Sequence, residues 1–197
     1  MIFSMLKLPS VSLICLTNQK FSDHLLAMER SSLEIEFGAR KIIYDMECDS
    51  IEKWNEKIIK DLYKYVDTTH ALLIHSDGYV IHPELWRDDW LQYDWCSSPW
   101  PLPSDNYSYR DEERNIVRVG NSVGLRSKKL LELGATRLIK YRYGNNSEDG
   151  HYCCHNREWL ESQGCKFMPF EEAIYFGKEH TIPENENIEK TFLFHAI

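Results

Sequence analysis

Three short apolar runs separated by two helix-length segments constrain this chain more than any other feature. Residues 11–16 read Val-Ser-Leu-Ile-Cys-Leu, residues 41–44 Lys-Ile-Ile-Tyr, and residues 71–74 Ala-Leu-Leu-Ile. Each run is rich in strand formers and closes on a polar residue, so each predicts a buried strand. After the first, Leu25, Leu26, Met28, Leu33 and Ile35 recur at helical intervals behind Ser22, a candidate N-cap, and Gly38 is expected to break that helix. After the second, Ile51, Trp54, Ile58, Ile59, Leu62, Tyr63 and Val66 mark an amphipathic helix over residues 50–66. Strand, helix, strand, helix, strand in about seventy residues is the pattern of a parallel α/β sheet. In such sheets ligands gather beyond the carboxyl ends of the strands. Thr17, Asp45 and Asp77 follow the three runs and are therefore expected to meet at one crevice.

The second half is less regular. Trp86, Trp90, Trp95 and Trp100 crowd together ahead of a polar loop over residues 101–115. Residues 117–125 suggest a strand pair around Gly120, and 127–133 a short helix. Residues 134–147 form a Gly/Asn-rich connection, 148–163 a helix, 166–168 a strand, and 181–191 a polar tail. One domain over residues 1–197 is expected, with a nucleotide-type half (1–100) and an irregular half (101–197).

Charge narrows the partners. Thirty-one acidic against 23 basic residues give a net charge of −8, which disfavours nucleic-acid polymers and anionic membranes, since both need a basic face. A small phosphate-bearing ligand survives this argument, because one metal ion or helix N-terminus reverses charge locally. No apolar run reaches the roughly eighteen residues of a membrane span, and the first sixteen residues lack the basic segment of a signal peptide. Six scattered cysteines without C-x-x-C spacing read as free thiols in a reducing compartment. The expected location is cytoplasmic. In that setting the formal sequons Asn106-Tyr107-Ser108 and Asn145-Asn146-Ser147 carry no glycan. The His151-Cys153-Cys154-His155 cluster is a poor zinc site, because adjacent cysteines rarely place both sulfurs on one ion. No Walker loop, G-x-S-x-G elbow, H-E-x-x-H pair or G-x-G-x-x-G turn is present.

Several side chains have both a structural and a chemical reading. Asp77 ends a strand and precedes Gly78, which suits a tight turn or a carboxylate presented to a ligand. Glu148-Asp149 precedes a helix, which suits capping or general-base work. Trp100 lies between two prolines and is the best rim candidate for stacking on a sugar, whereas Trp86, Trp90 and Trp95 read as core. Arg118 and Arg126 suit a phosphate or an ordinary ion pair. His151 and His155 are expected on the surface.

His75-Ser76-Asp77-Gly78-Tyr79-Val80-Ile81-His82-Pro83, Trp86, Tyr93-Asp94 and Ser98-Pro99-Trp100-Pro101 occur in this order. They are followed by Val119-Gly120-Asn121-Ser122, Leu125-Arg126-Ser127, Glu148-Asp149, Arg157, Leu160-Glu161 and Phe192-Leu193-Phe194-His195. This series resembles a family of glycosyltransferases described mostly as a domain of unknown function, whose members carry Gln-Trp-Asp-Gly and Tyr-Asp-Tyr-Ile-Gly-Ala-Pro-Trp segments. Two stretches depart from it: His75-Ser76 stands for Gln-Trp, and Gly120-Asn121-Ser122-Val123-Gly124 for Gly-Asn-Gly-Gly-Phe. The resemblance implies a GT-A fold with a Rossmann-like nucleotide-binding half and an acceptor-binding half. It implies a nucleotide-sugar donor of the UDP or a similar class, a carbohydrate acceptor, and a divalent metal, Mn²⁺ or Mg²⁺. Asp77 and His195 would hold the metal. Thr17, Asp45, His75, Ser76, Asp77, Gly120, Asn121 and Arg126 would line the donor side, and Trp100 the acceptor side. Asp149 would be the base of an inverting displacement, with Glu148 orienting the acceptor. Two other readings of the same residues are a non-catalytic glycan- or nucleotide-binding module and a metal-dependent sugar-nucleotide hydrolase.

Overall fold

The computed structural model describes residues 5–18, 20–139 and 147–195. Residues 140–146 of the predicted connection, and with them Asn145 and Asn146 of the second sequon, lie outside the described residues.

The three apolar runs are strands of one sheet. β1 (Leu6–Thr17), β2 (Ile35–Tyr44) and β3 (His70–Leu73) are joined by α1 (Phe21–Ser31) and α2 (Ile51–Asp61), the latter continued by a 3₁₀ turn, Leu62–Tyr65. Ser50 caps α2 by accepting the Lys53 backbone N–H. β4 (Trp95–Pro99) and β5 (Val119–Ser127) complete the order β2-β1-β3-β5-β4. β1 pairs in parallel with β2 and β3, while β5 runs antiparallel to β3 and β4, so β5 alone opposes the other four. The sheet is thus mostly parallel, flanked by helices. Residues 11–17 of β1 are all buried, which is why the sequence shows a continuous apolar run there instead of alternation.

Four expectations about α1 and the strands need correction. Gly38 does not end α1. The helix stops at Ser31, and Gly38 lies within β2, where an added Cβ would stand 2.2 Å from the Pro9 carbonyl oxygen. The β1–β2 register breaks between Leu8 and Ser12, around Pro9, so a residue without a side chain is needed opposite the irregularity. Nor is Ser22 the N-cap of α1; Lys20, with φ 47°, holds that place. Residues 117–125 are not a strand pair, because Gly120 sits inside the single strand β5 under the Trp100 ring. Residues 166–168 contribute only an isolated bridge, Trp95 to Phe167.

α3 (Lys128–Ala135) follows β5 with Ser127 as its cap. The predicted helix over 148–163 is broken into α4 (Glu148–Gly150), a π-turn (His151–His155) and α5 (Arg157–Ser162). His151 and His155 are buried in that turn, not on the surface; His151 Nε2 lies 3.1 Å from the Gly134 carbonyl. α6 (Phe170–Phe176), β6 (Gly177–Lys178) and β7 (Leu193–Phe194) close the chain. Trp90, Phe176 and Phe192 pack edge-on or tilted beside Trp86, tying α6 and the 192–195 segment to the tryptophan-rich stretch.

Candidate functional site

A cavity of about 400 Å³ opens where the carboxyl ends of β1 and β3 meet. Leu16, Thr17 and Asn18 form one wall, His75, Ser76 and Asp77 another, and Trp54, Ser122 and His195 lie between. The connection after β1 runs to β2 on one side, and the chain after β3 runs to β4 and β5 on the other. That places a crevice between β1 and β3 by topology alone.

The wall after β3 is a tight turn. His75 N–H donates to the Gly78 carbonyl at 2.8 Å, and Gly78 N–H returns to the His75 carbonyl at 3.3 Å. His195 is brought over this turn by the backbone. β7 pairs in parallel with β6, Phe194 N–H donates to the Tyr79 carbonyl at 3.2 Å, and His195 N–H donates to the Lys178 carbonyl at 2.9 Å. Gly78 permits the approach, since a Cβ there would stand 2.8 Å from His195 Cδ2. His195 Nε2 faces Asp77 Oδ1 at 3.8 Å, and its Nδ1 faces Glu179 Oε1 at 3.3 Å. Burial pulls the His195 imidazole down, but Glu179 and Asp77 outweigh burial and the net shift is upward.

His75, Asp77 and His195 each offer one ligand atom, all within 4.8 Å of one another. His75 Nε2 is sealed from solvent and has no hydrogen-bond partner. Burial first, and then the neighbouring His195, hold the His75 imidazole well below its ordinary range, so it stays neutral and keeps a lone pair. Two imidazole nitrogens and a carboxylate fit a divalent cation. Ligands at about 2.1 Å from one tetrahedral ion stand about 3.4 Å apart, so the set closes by up to about 1.4 Å on binding. Asp77, whose side chain is 59% exposed, is free to swing.

Behind Ser122 lies an acid pair. Glu148 is fully buried, with Oε1 accepting from Arg126 Nη2 at 2.7 Å and Oε2 from Ser122 Oγ at 3.2 Å. Arg126 is equally buried and stacks on Trp95, its guanidinium carbon 4.3 Å from the ring centre. It therefore closes an internal ion pair and presents nothing to a ligand. Asp149 Oδ1 accepts from Ser147 Oγ and, at 2.7 Å, from Gly150 N–H. Burial and the adjacent Glu148 charge push the Asp149 carboxyl up to about 7.

Thr17, His75, Ser76, Asp77 and His195 thus come together, and Glu148 reaches the cavity through Ser122. Asp45 does not join them. Its backbone N–H donates to the Thr17 carbonyl at 2.9 Å, but its carboxylate pairs with Lys57 at 2.9 Å. Gly120 is covered by Trp100, which is itself buried and stacked on Tyr109 at 4.6 Å, so Trp100 has no rim face to offer a sugar. Asn121 is buried behind Glu179, donating to its Oε2 at 2.5 Å. Arg118 pairs with Glu184 at 3.1 Å. Glu179 went unread in sequence because it follows a two-residue strand whose paired residues come sixteen positions later. The available signal for His75 as a ligand was its i,i+2 spacing to Asp77 across a Gly-closed turn.

Residues 41–195 match the model of the family described as "Protein of unknown function (DUF5672)". No curated protein matches the chain. Among solved structures the chain is similar to one titled "Crystal Structure of A197 from STIV", with 11% identity, 80% of this chain and 79% of that chain covered, and a TM-score of 0.39.

Proposed function

For this chain, which belongs to the DUF5672 family, we propose a metal-dependent glycosyltransferase of the GT-A type, moving a sugar from a nucleoside-diphosphate sugar to a carbohydrate hydroxyl. The observation that carries the reading is the meeting of His75, Asp77 and His195 over a cavity at the carboxyl ends of β1 and β3. Its volume falls within the range of small-ligand clefts, roughly 300–1,000 Å³. A divalent ion bound there would offset the charge that develops on the diphosphate leaving group. Thr17, Asn18 and Trp54 border the space left for the nucleotide. In the transfer, the acceptor oxygen bonds to the anomeric carbon as the bond from that carbon to the diphosphate oxygen breaks, and the nucleoside diphosphate departs. Asp149, beside Glu148 behind Ser122 and outside the cavity lining, would take the hydroxyl proton of an acceptor that reaches past Ser122; a carboxyl titrating near 7 is matched to that task. Glu148, fixed by Arg126 and Ser122, holds the acid pair and Ser122 in place. We place the reaction in the reducing cytoplasm, in keeping with six unpaired, buried thiols.

The test is a thermal-shift screen with UDP-, GDP-, dTDP- and CMP-sugars, each with and without Mn²⁺ or Mg²⁺. A ligand at a hundred times its Kd stabilises by about 2.7 kcal/mol, roughly 5–10 °C for a chain of this size. One nucleotide should produce this shift only with metal. In Asp77→Ala the shift should vanish and transfer should fall by roughly two to three orders of magnitude. Release of free sugar at the same rate with and without acceptor would replace the transferase reading with a hydrolase.

A further inference from the structure

We propose that His75 is itself a metal ligand, so that the protein alone supplies two imidazoles and one carboxylate and loads a transition-metal ion of the Mn²⁺ class, in preference to Mg²⁺, before any nucleotide arrives. The inference rests on the site of the transferase reading and deepens it by naming the ion and its protein ligands.

The geometry bears on His75 from three sides. Its ring meets His195 nearly edge-on, with centroids 5.2 Å apart and planes at 81°. Trp54 also packs against it at 5.1 Å and 87°, and the Trp54 indole N–H is itself anchored to the Leu16 carbonyl at 3.3 Å. The backbone on either side is pinned by the reciprocal His75–Gly78 hydrogen bonds. The ring thus has little rotational freedom to lose on binding. A buried polar nitrogen with no partner costs free energy unless something occupies it. A cation between His75 and His195 removes that cost.

Outer contacts favour the same arrangement. Glu179 faces the Nδ1 side of His195, leaving Nε2 toward Asp77. Asn121 in turn holds Glu179 through its other oxygen. A carboxylate behind a ligating imidazole fixes its tautomer and raises its basicity. The ligand set decides the choice of ion. Mg²⁺ retains water and prefers carboxylates and substrate phosphates. Imidazole suits the later first-row ions, and the affinity of such a site rises along the series from Mn²⁺ to Cu²⁺, with Zn²⁺ also above Mn²⁺. Three protein ligands already form a site, so binding needs no diphosphate to complete it.

The experiment titrates Mn²⁺ into the nucleotide-free protein, following free Mn²⁺ by electron paramagnetic resonance. One ion should bind per chain, and a tenfold excess of Mg²⁺ should fail to displace it while Zn²⁺ succeeds. Pulsed measurements on the bound ion should register two directly coordinated imidazole nitrogens. His75→Gln should weaken binding by tenfold or more, and Glu179→Gln by about 10–100-fold, with unchanged circular dichroism and apo melting temperature. A single coordinated nitrogen in the native protein, or displacement by equimolar Mg²⁺, overturns the assignment whether or not the variants fold. Because no donor or acceptor is present, failure here leaves the transferase reading to its own screen.

Discussion

Asp149→Asn should lower transfer by roughly two to four orders of magnitude and, at pH 8, make the protein more stable than the native form. Both effects have one cause. Burial and the Glu148 charge raise the Asp149 carboxyl from 3.8 to about 7, so the folded chain retains a proton that the unfolded chain has released. Between about pH 4 and pH 7 the native state binds more protons than the unfolded one, and stability falls as pH rises. Above pH 7 the full cost of a buried carboxylate is present, on the order of a few kcal/mol. Asparagine carries no charge to bury and its amide oxygen still accepts from Ser147 and Gly150. The gain in melting temperature should therefore be largest near pH 8, roughly 5–10 °C, and negligible near pH 4. On the proposed transferase reading, the native protein's kcat/KM should show an acidic limb with an apparent pKa near 7, absent in the variant's residual rate. A flat native profile from pH 6 to 8 would remove Asp149 from the role of base. A variant less stable at pH 8 would contradict the electrostatic account itself.

Arg126→Met should destabilise the chain by about 3–5 kcal/mol, because it strands the Glu148 carboxylate in a site with no solvent access. Glu148→Gln alone should cost nearly as much, leaving the guanidinium without its anion. Arg126 Nε and Nη1 already lack partners, so Glu148, two carbonyls and the Trp95 ring supply the cation's compensation. The double variant, with no buried charge, should recover much of the loss, an interaction energy on the order of 2–3 kcal/mol. Urea unfolding of the four proteins at pH 7.5 measures it. Simple additivity would mean that the pair contributes little and that its role is confined to holding Ser122.

The first half of the chain was legible because its signals are local. Residues 11–16 and 71–74 are apolar because both faces of β1 and β3 are covered, and the apolar spacing from Ile51 to Val66 marks α2 and the turn after it. Gly38 misled for a physical reason: the same absent side chain that can end a helix can also admit the Pro9 carbonyl within a sheet. β4 was hidden because Trp-Cys-Ser-Ser-Pro has neither an apolar run nor an alternation to mark a strand. Of the expected site, Thr17, Asp77 and His195 could be placed by strand order or by ordered resemblance. Asp45 could not, because Lys57 captures it one helix away, a contact with no sequence signature. Trp100 and Arg126 carry the residue types of a ligand site yet are buried by neighbours more than eight positions distant, Tyr109 and Glu148. Side-chain direction is a tertiary property, and these two residues show where local pattern stops informing it.

The six thiols give the molecule an internal clock. All are buried, and burial raises the pKa of each, Cys15 to about 12 and Cys165 to about 11. A thiol reagent needs both access and a thiolate, so alkylation at neutral pH runs through transient opening rather than through the native surface. Cys15 and Cys96 report on the sheet, Cys48 on the approach to α2, Cys153 and Cys154 on the π-turn, and Cys165 on the link to α6. The order in which they react ranks how readily each region loosens, with no label or substitution introduced.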